Sequence, residues 1–412
     1  MPAIYALLVG INKYSRNPLS GCINDVNAVE EFLKKTYGSQ PGFSVNIRRL
    51  TDEDETQPTR ANVIAGFDYF DPATDGDTCL FYYSGHGSYC PAPREFWNET
   101  DSKSESFVCI DSREEGGRDL LDKEAGFLLW KTIETKKNTR FIVITDCCHS
   151  GTITKNIDDS GIKDRMMPDA TTLKPLTEYL GFDTTINGKK YYDLATDSAS
   201  GQTRVQFREG NHIHLAASRD NQTAKELKID GQTRGAFTHS LLKTLYVANG
   251  RISYRSLLQK TNLLVRGLVA DQHPGLHLNG ATEAAIADQS FMTGVSLSDN
   301  TALVYHDARW RWCLKAGSIH GITTGDEVDI EGVGKTKVTG TPAPDFSTIA
   351  EIPGMTSTNV YQATLTRQPN QPLEVNVDPA INAELLAMIE QASAASGNAG
   401  YVLSKNDGGR FI

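Results

Sequence analysis

Three short apolar runs, Ile4–Val9 (IYALLV), Thr78–Tyr83 (TCLFYY) and Phe141–Thr145 (FIVIT), are separated by stretches of amphipathic character. Runs of this kind, apolar without strict alternation, suit strands buried on both faces, as in a parallel sheet with helices on either side. Between the first two runs, Asn24–Tyr37 places Val26, Val29, Phe32 and Leu33 on one helical face. Val45–Leu50 reads as a further strand, and Thr59 is suited to cap a helix running through Tyr69. His212–Ala217 reads as a later strand, followed by helices near Ala236–Ala248 and Tyr254–Val269. The expectation for residues 1–290 is an α/β domain, a mixed but mostly parallel sheet flanked by helices. After Thr293 the texture changes to short alternating runs broken by Gly, Asp and Asn, such as VSLSDNTALVYH, RWRWCLKAG and TKVTGT. These predict a smaller β-rich domain over 295–412, with a helix at Ile381–Ala395. Between Gly151 and Gly210 no period is clear, and Asp158, Asp159, Lys163, Arg165, Lys189, Lys190, Arg204 and Arg208 are scattered among Ser, Thr and Gly. So long an aperiodic stretch inside a compact domain is expected to be functional or mobile, and a place where a protease could cut.

Bulk properties exclude several classes. With 41 basic and 51 acidic residues the chain carries a formal charge of −10, and no basic stripe stands out, so nucleic acid is not an expected partner. No run approaches the ~18 consecutive apolar residues of a membrane span. The start, MPAIYALLVGINKY, lacks a basic leader region and is read as a first strand, not a signal peptide. The seven cysteines, Cys22, Cys79, Cys90, Cys109, Cys147, Cys148 and Cys313, are odd in number and irregularly spaced. That pattern argues for free thiols in a reducing cytoplasm, against a disulfide framework and, without a CxxC pair, against structural zinc.

Two segments carry chemistry. YYSGHGS and ITDCCHSG each leave the end of an apolar strand, and ligands in open α/β sheets bind beyond such carboxyl ends. Side chains alternate along a strand, so Ser84 shares a face with His86, and Asp146 with Cys148, while Cys147 points into packing. A cysteine at a strand end is usually a small buried hydrophobe, and a single histidine is usually structural. Two glycine-flanked strand ends offering one of each favour a nucleophile, Cys148, with His86 as its proton-transfer partner. Backbone N–H groups of Cys148 and of Gly87 or its neighbour are placed to hold an oxyanion. Zinc ligation by His86, Cys147, Cys148 and His149 fails because adjacent cysteines point apart.

The YSGHG and DCCHSG segments, together with GCINDV (Gly21–Val26) and AASRDNQTAKE followed by GAFTHSLLKTL (Ala216–Leu245), resemble the caspase-like cysteine peptidases, specifically the metacaspase and bacterial orthocaspase branch. The resemblance covers residues 1–290 and implies a large-subunit-like part (1–151), a linker with processing sites (152–210) and a small-subunit-like part (211–290). It implies a Cys148–His86 dyad and a pocket of Cys22, Asp25, Ser84 and Asp146 for the residue before the cut bond. Two carboxylates there would select Arg or Lys in a protein or peptide substrate. Read alone, Asp25 serves equally as an acidic residue at a helix start, and Asp146 as a backbone orienter. The nucleophile segment departs from the caspase signature QAC[RQG]G, which argues against aspartate specificity, although Arg219 lies where caspases carry a basic pocket residue. Many metacaspases use calcium. The acidic stretch between Trp97 and Glu124, with Asp101, Glu105, Asp119, Asp122 and Glu124, offers Asp119 and Asp122 as ligands or is a solvated acidic loop. The resemblance thus implies a cysteine endopeptidase activated by self-cleavage in the linker. The alternatives are an Asp-specific peptidase and a non-catalytic caspase-fold module that works by binding, with the β-rich domain as its recognition element or as a cover for the site. Trp310, Trp312 and His320 in that domain read as core or surface, not ligands.

Overall fold

The computed structural model describes residues 2–39, 43–96, 102–136, 138–148, 162–196, 201–219, 222–279, 286–294, 301–307, 309–318, 322–357, 359, 361–366, 373–376, 401–404 and 410–411. The chain divides into two compact units, Met1–Leu297 and Ser298–Ile412.

Chain order in the first unit is β1 (Ala3–Gly10), α1 (Cys22–Thr36), β2 (Ser44–Thr51), α2 (Arg60–Gly66), β3 (Thr78–Ser84), β4 (Gly87–Pro91), β5 (Lys103–Phe107), β6 (Leu120–Leu121), α3 (Asp122–Thr135) and β7 (Arg140–Asp146). There follow β8 (Lys163–Asp164), β9 (Thr185–Ile186), β10 (Lys189–Lys190), β11 (Tyr192–Thr196), β12 (Thr203–Phe207), β13 (His212–Ala216), β14 (Lys225–Ile229), β15 (Gln232–Gly235), α4 (Ala236–Val247), α5 (Tyr254–Leu268) and β16 (Gly275–Asn279). A six-stranded sheet has the order β16-β13-β7-β3-β1-β2. Its pairs are parallel except at the edge, where β16 runs against β13.

The apolar runs are continuous because both faces are covered. Leu7 and Val9 of β1 pack with Val63, Phe67, Phe70 and Leu128, on the side of α2 and α3. Ile4, Ala6 and Leu8 pack with Val26, Phe32, Leu241 and Leu257, on the side of α1, α4 and α5. Thr59 caps α2 as its sequence position suggests, its Oγ1 accepting from the Asn62 N–H at 3.2 Å. Register aligns the carboxyl ends of three central strands, with Gly10 opposite Ser84 and Ser84 opposite Asp146.

Two stretches hold more structure than their periodicity suggests. The acidic segment before β7 forms β5, β6 and α3, with Glu124 reaching back to the Leu121 N–H at the helix start. The described part of the linker is an arm of short strands fixed by aromatic packing rather than by a periodic apolar face. Tyr191 and Tyr192 meet edge-on at 4.8 Å, and Phe96 meets Phe207 at 5.1 Å. Residues 149–161 lie outside the described residues.

In the second unit, β17 (Thr301–Asp307), β18 (Arg311–Leu314), β19 (Glu327–Ile330), β20 (Gly334–Thr339), β21 (Ser347–Ile349) and β22 (Tyr361–Thr366) close into a barrel of order β17-β18-β21-β20-β19-β22. Its core contains Val304, Trp312, Leu314, Val328, Ile330 and Val338. Trp310 is exposed, with Arg309 over its ring. The expected helix at Ile381–Ala395 and His320 lie outside the described residues. No helix among the described residues is long and apolar enough to cross a membrane.

Candidate active site

The end of β3 turns sharply at Gly85 and His86. Two buried tyrosines fix this turn: Tyr14 Oη accepts from the His86 N–H at 2.9 Å, and Tyr83 Oη donates to the His86 carbonyl at 2.8 Å. The His86 ring stacks obliquely on Tyr14, with centroids 4.7 Å apart. Its Nε2 lies 2.7 Å from the carbonyl oxygen of Asn17, a residue at φ 52°. Because a carbonyl only accepts, Nε2 carries the proton there, and Nδ1 is left as the free base. That Nδ1 is buried and makes no well-formed hydrogen bond. Burial lowers the His86 pKa to about 4, against the opposing pull of the Asn17 and Arg165 carbonyls, so the ring is neutral near pH 7.

At the end of β7 the alternation resolves the two cysteines. Cys147 packs with Tyr83 and Val143 in the core on the α2–α3 side, and Cys148 lies in the opposite cluster with Tyr82 and Ile144. The Cys148 thiol donates to the Ala224 carbonyl at 3.2 Å and accepts from the Ala224 N–H at 2.9 Å. It is thus bonded to Ala224, not to the His86 ring. Burial, and then the Asp164 carboxylate, push this thiol well above the usual range.

Between the two strand ends lies a residue whose role sequence reasoning did not assign. Arg165 is fully buried. Its carbonyl oxygen accepts from the Gly87 N–H at 3.0 Å and from the Cys148 N–H at 3.2 Å. Its own N–H donates to the Ala224 carbonyl at 2.9 Å. The two preceding residues, Lys163 and Asp164, pair antiparallel with Glu226 and Lys225 of β14. The two N–H groups predicted to hold an oxyanion therefore converge on one peptide carbonyl. That convergence needs Gly87, because a Cβ at this position would collide with the Cys148 carbonyl oxygen.

The Arg165 guanidinium fills a pocket made of the residues singled out in the sequence and some that were not. Nη2 donates to Asp25 Oδ2 at 2.7 Å, and Nη1 donates to Ser84 Oγ at 2.9 Å and lies 3.1 Å from Asp146 Oδ1. Glu226 Oε2 is 3.5 Å from Nη2, and its two oxygens also accept from the Ser20 and Gly21 N–H groups. Cys22 adjoins the same charges: burial raises its thiol pKa, and Arg165 opposes that rise. Asp25 also accepts from Arg234 Nε at 3.1 Å and from the Gly235 N–H, and Asp146 Oδ2 accepts from Thr238 Oγ1 at 2.7 Å. Burial raises the Asp25 pKa to about 6, with Arg165 pulling the other way. Although burial disfavours its charge, the guanidinium stays cationic because Asp146, Asp25 and Glu226 surround it. Three carboxylates against Arg165 and Arg234 leave the pocket with net negative formal charge, the condition for binding a cation. A Cβ on Gly235 would enter this pocket, 2.6 Å from Arg165 Nη1.

The profile of the caspase domain matches residues 3–286. The chain belongs to the caspase-domain family. Among curated relatives, Metacaspase-1 of Saccharomyces cerevisiae is 27% identical over 278 residues, covering 62% of this chain and 61% of that protein. Metacaspase-1 of Candida albicans is 31% identical over 281 residues, covering 62% and 60%. This caspase-domain chain therefore spans about three-fifths of the length of the curated relatives it matches. A crystal structure of protein GSU0716 from Geobacter sulfurreducens aligns over 71% of this chain and 100% of its own at 22% identity, with a TM-score of 0.47.

Cys22, Asp25, Ser84, His86, Asp146 and Cys148 lie around Arg165, but the acidic positions proposed for calcium do not form a comparable cluster. Asp119 is paired with Arg113 at 2.8 Å and accepts from Ser106 at 2.9 Å, and Asp122 is paired with Lys123 at 2.6 Å. Among the described residues no group of three or more His, Cys, Asp or Glu is placed to hold a metal. As they stand, these carboxylates do not fit a calcium site, and Asp101 lies outside the described residues. Arg219 is exposed and stands apart from the described pocket contacts. Sequence reasoning missed Asn17, Ala224, Glu226, Arg234 and Gly235 as site residues. Glu226 closes the AASRDNQTAKE segment and Gly235 opens GAFTHSLLKTL, so the signal was present as motif edges without a role.

Proposed function

We propose that the chain is a cysteine endopeptidase that cuts peptide bonds after arginine, and less well after lysine, with Cys148 as nucleophile and His86 as proton carrier. The observation that carries this reading is Arg165, an arginine whose side chain fills the acidic pocket while its carbonyl oxygen takes both N–H groups beside the dyad. The Cys148 thiol attacks the carbonyl carbon and its proton passes to His86 Nδ1, the nitrogen left free by the Asn17 bond to Nε2. Gly87 and Cys148 N–H groups hold the oxyanion, His86 protonates the leaving amine, and a thioester forms. Water activated by the same ring then releases the acid and restores the thiol. Arginine is favoured over lysine because the carboxylates and Ser84 engage both Nη atoms, a geometry that a single ammonium does not reproduce. An aspartate side chain would meet three carboxylates, which argues against the Asp-specific alternative. A purely binding module has no evident use for a free imidazole beside a thiol and two converging N–H groups.

The test is a panel of peptides differing in the residue before the cut. Arg should exceed Lys, Asp should be inert, and Cys148→Ala should abolish all turnover. Preference for Asp sinks the pocket assignment, and turnover by Cys148→Ala sinks the dyad.

A further inference from the structure

We infer that Lys225 selects an acidic side chain one place before the cut-site arginine, so that the preferred substrate carries Asp-Arg ahead of the cut bond. This rests on the peptidase reading above and names the substrate class of that same site. Arg165 fills the acidic pocket with its carbonyl at the Gly87 and Cys148 N–H groups. The two residues before it pair antiparallel with β14, Asp164 opposite Lys225 and Lys163 opposite Glu226. Residues directly opposite in such a ladder project to the same face. A peptide that adds to β14 along this path therefore brings the residue before its arginine against Lys225.

Lys225 is placed to read a charge there. Its Nζ donates to Asp164 Oδ1 at 2.8 Å and to Thr223 Oγ1 at 3.0 Å. Both side chains of the ion pair are sheltered, 13% exposed for Lys225 and 23% for Asp164. The backbone of Lys225 is fixed from behind: its N–H donates to Oε1 of Gln272, a fully buried side chain whose Nε2 donates to the Ala217 carbonyl. Among the described residues one other carboxylate pairs with the ammonium, Asp271 at 3.6 Å, and it is 72% exposed, so water screens it. When the cleft changes occupant, Lys225 is left with that screened partner. An incoming acid restores the close contact, and a neutral residue does not.

The next position upstream has no such reader. Lys163 is exposed, with Nζ 3.5 Å from the Pro18 carbonyl, and Glu226 opposite it is committed to Arg165 and to the Ser20 and Gly21 N–H groups. Selection should thus fall on one position and not on the run of residues before the arginine. The ion pair forms on binding and is not remade during the reaction, so it should act mainly on KM. The two charges also flank the nucleophile, Asp164 pushing the Cys148 thiol up and Lys225 pulling it down, so an acid at this place gives no help to the attack itself. A cross-strand pair that merely braced the chain would leave the choice of added peptide untouched by Lys225.

The experiment measures kcat and KM for fluorogenic peptides Ac-Leu-X-Arg, with X as Asp, Glu, Asn or Lys. The enzymes are the full chain, Lys225→Met and Lys225→Glu, each checked for folding by circular dichroism. Wild type should prefer Asp over its near-isostere Asn by at least about fivefold, the upper end of what an exposed pair contributes, mainly through a lower KM. The preference should shrink as salt is added. Lys225→Met should lose it, and Lys225→Glu should reverse it to favour Lys over Asp, a reversal that damage to the fold cannot produce. Each preference is a ratio within one enzyme, so a fall in overall activity does not obscure it. Exchanging the Leu for Asp should change kcat/KM by less than about twofold, as for a solvent-screened charge. Wild type that cuts Asp-Arg and Asn-Arg peptides equally well overturns this inference and leaves the peptidase reading standing, as does a Lys225→Met that keeps the preference. A larger effect at the Leu position than at X overturns the assignment to Lys225. A chain that cuts no Arg peptide overturns both.

Discussion

Removing the Arg165 charge in a chain that cannot cut itself isolates the pocket electrostatics. In a Cys148→Ala background, Arg165→Gln leaves Asp25, Asp146 and Glu226, all essentially without solvent exposure, facing Arg234 alone. Breaking a buried pair by removing one partner costs about 3–5 kcal/mol, because the other charge stays buried. The unit that contains the site spans Met1–Leu297. At about 2.1 cal/mol/K per residue its unfolding entropy is about 0.6 kcal/mol/K, so the expected fall in Tm is about 5–8 °C. The loss should depend on pH with a definite sign. Asp25 already has a pKa of about 6 with Arg165 beside it, above its unfolded value of 3.8, and loss of the guanidinium raises it further. A carboxylate raised in the folded state favours folding at low pH and costs stability as pH rises through its folded pKa. The gap between Arg165→Gln and its parent should therefore be largest above pH 7 and narrow toward pH 5. The assay is calorimetry or thermal fluorescence from pH 5 to 8, with Arg165→Lys as a partial rescue. Added acetyl-arginine amide should stabilise Arg165→Gln and leave the parent unmoved. A shift under about 2 °C, or a shift independent of pH, would refute the claim that the pocket is built around a buried cation.

Further outcomes follow from the same contacts. Asp146→Asn keeps the Thr238 bond but removes one charge from the pocket, so kcat/KM for Arg peptides should fall about 100-fold, the low end of the cost of breaking a buried pair. In Met166→Pro, whose proline after Arg165 blocks cutting there, alkylation of Cys148 by iodoacetamide should rise tenfold per pH unit from pH 6 to 9 without a plateau, because burial holds the thiol well above the usual range. The stability that separates uncut Cys148→Ala from its His86→Asn double variant should shift against the histidine chain as pH drops from 6.5 to about 4, by up to about 3 kcal/mol, since the folded His86 pKa of about 4 lies below the unfolded 6.5. The comparison is made by urea unfolding, because the raised Asp25 pKa, common to both chains, acts in the opposite direction over the same range.

The strand ends were legible because they obey two simple rules. Runs buried on both faces announce a covered sheet, and alternation along β7 separates Cys147 from Cys148 without any knowledge of the fold. The resemblance then brought in Cys22, Asp25, Ser84 and Asp146, which meet around one guanidinium. Illegible were the contacts set by loop geometry. Asn17 acts through its backbone carbonyl, which has no side-chain signature, and Ala224 contributes backbone groups alone. Arg165 stood in the sequence as one basic residue among several in an aperiodic stretch. Its burial follows from a two-residue ladder with β14 and from three acidic partners, one of them more than a hundred positions away. The arm that follows it is fixed by aromatic rings at irregular spacing, so no hydrophobic period could have revealed it.

The central claim is that Cys148 attacks a carbonyl presented by an arginine in the Asp25–Asp146 pocket. Its most direct test is the intact mass of the chain after reaction with a peptide carrying an electrophilic ketone in place of the cut bond. With arginine before the ketone, one adduct should form and map to Cys148, and it should be lost in Asp25→Asn or Cys148→Ala. Equal labelling by the aspartate peptide, or an adduct on any other cysteine, would contradict it.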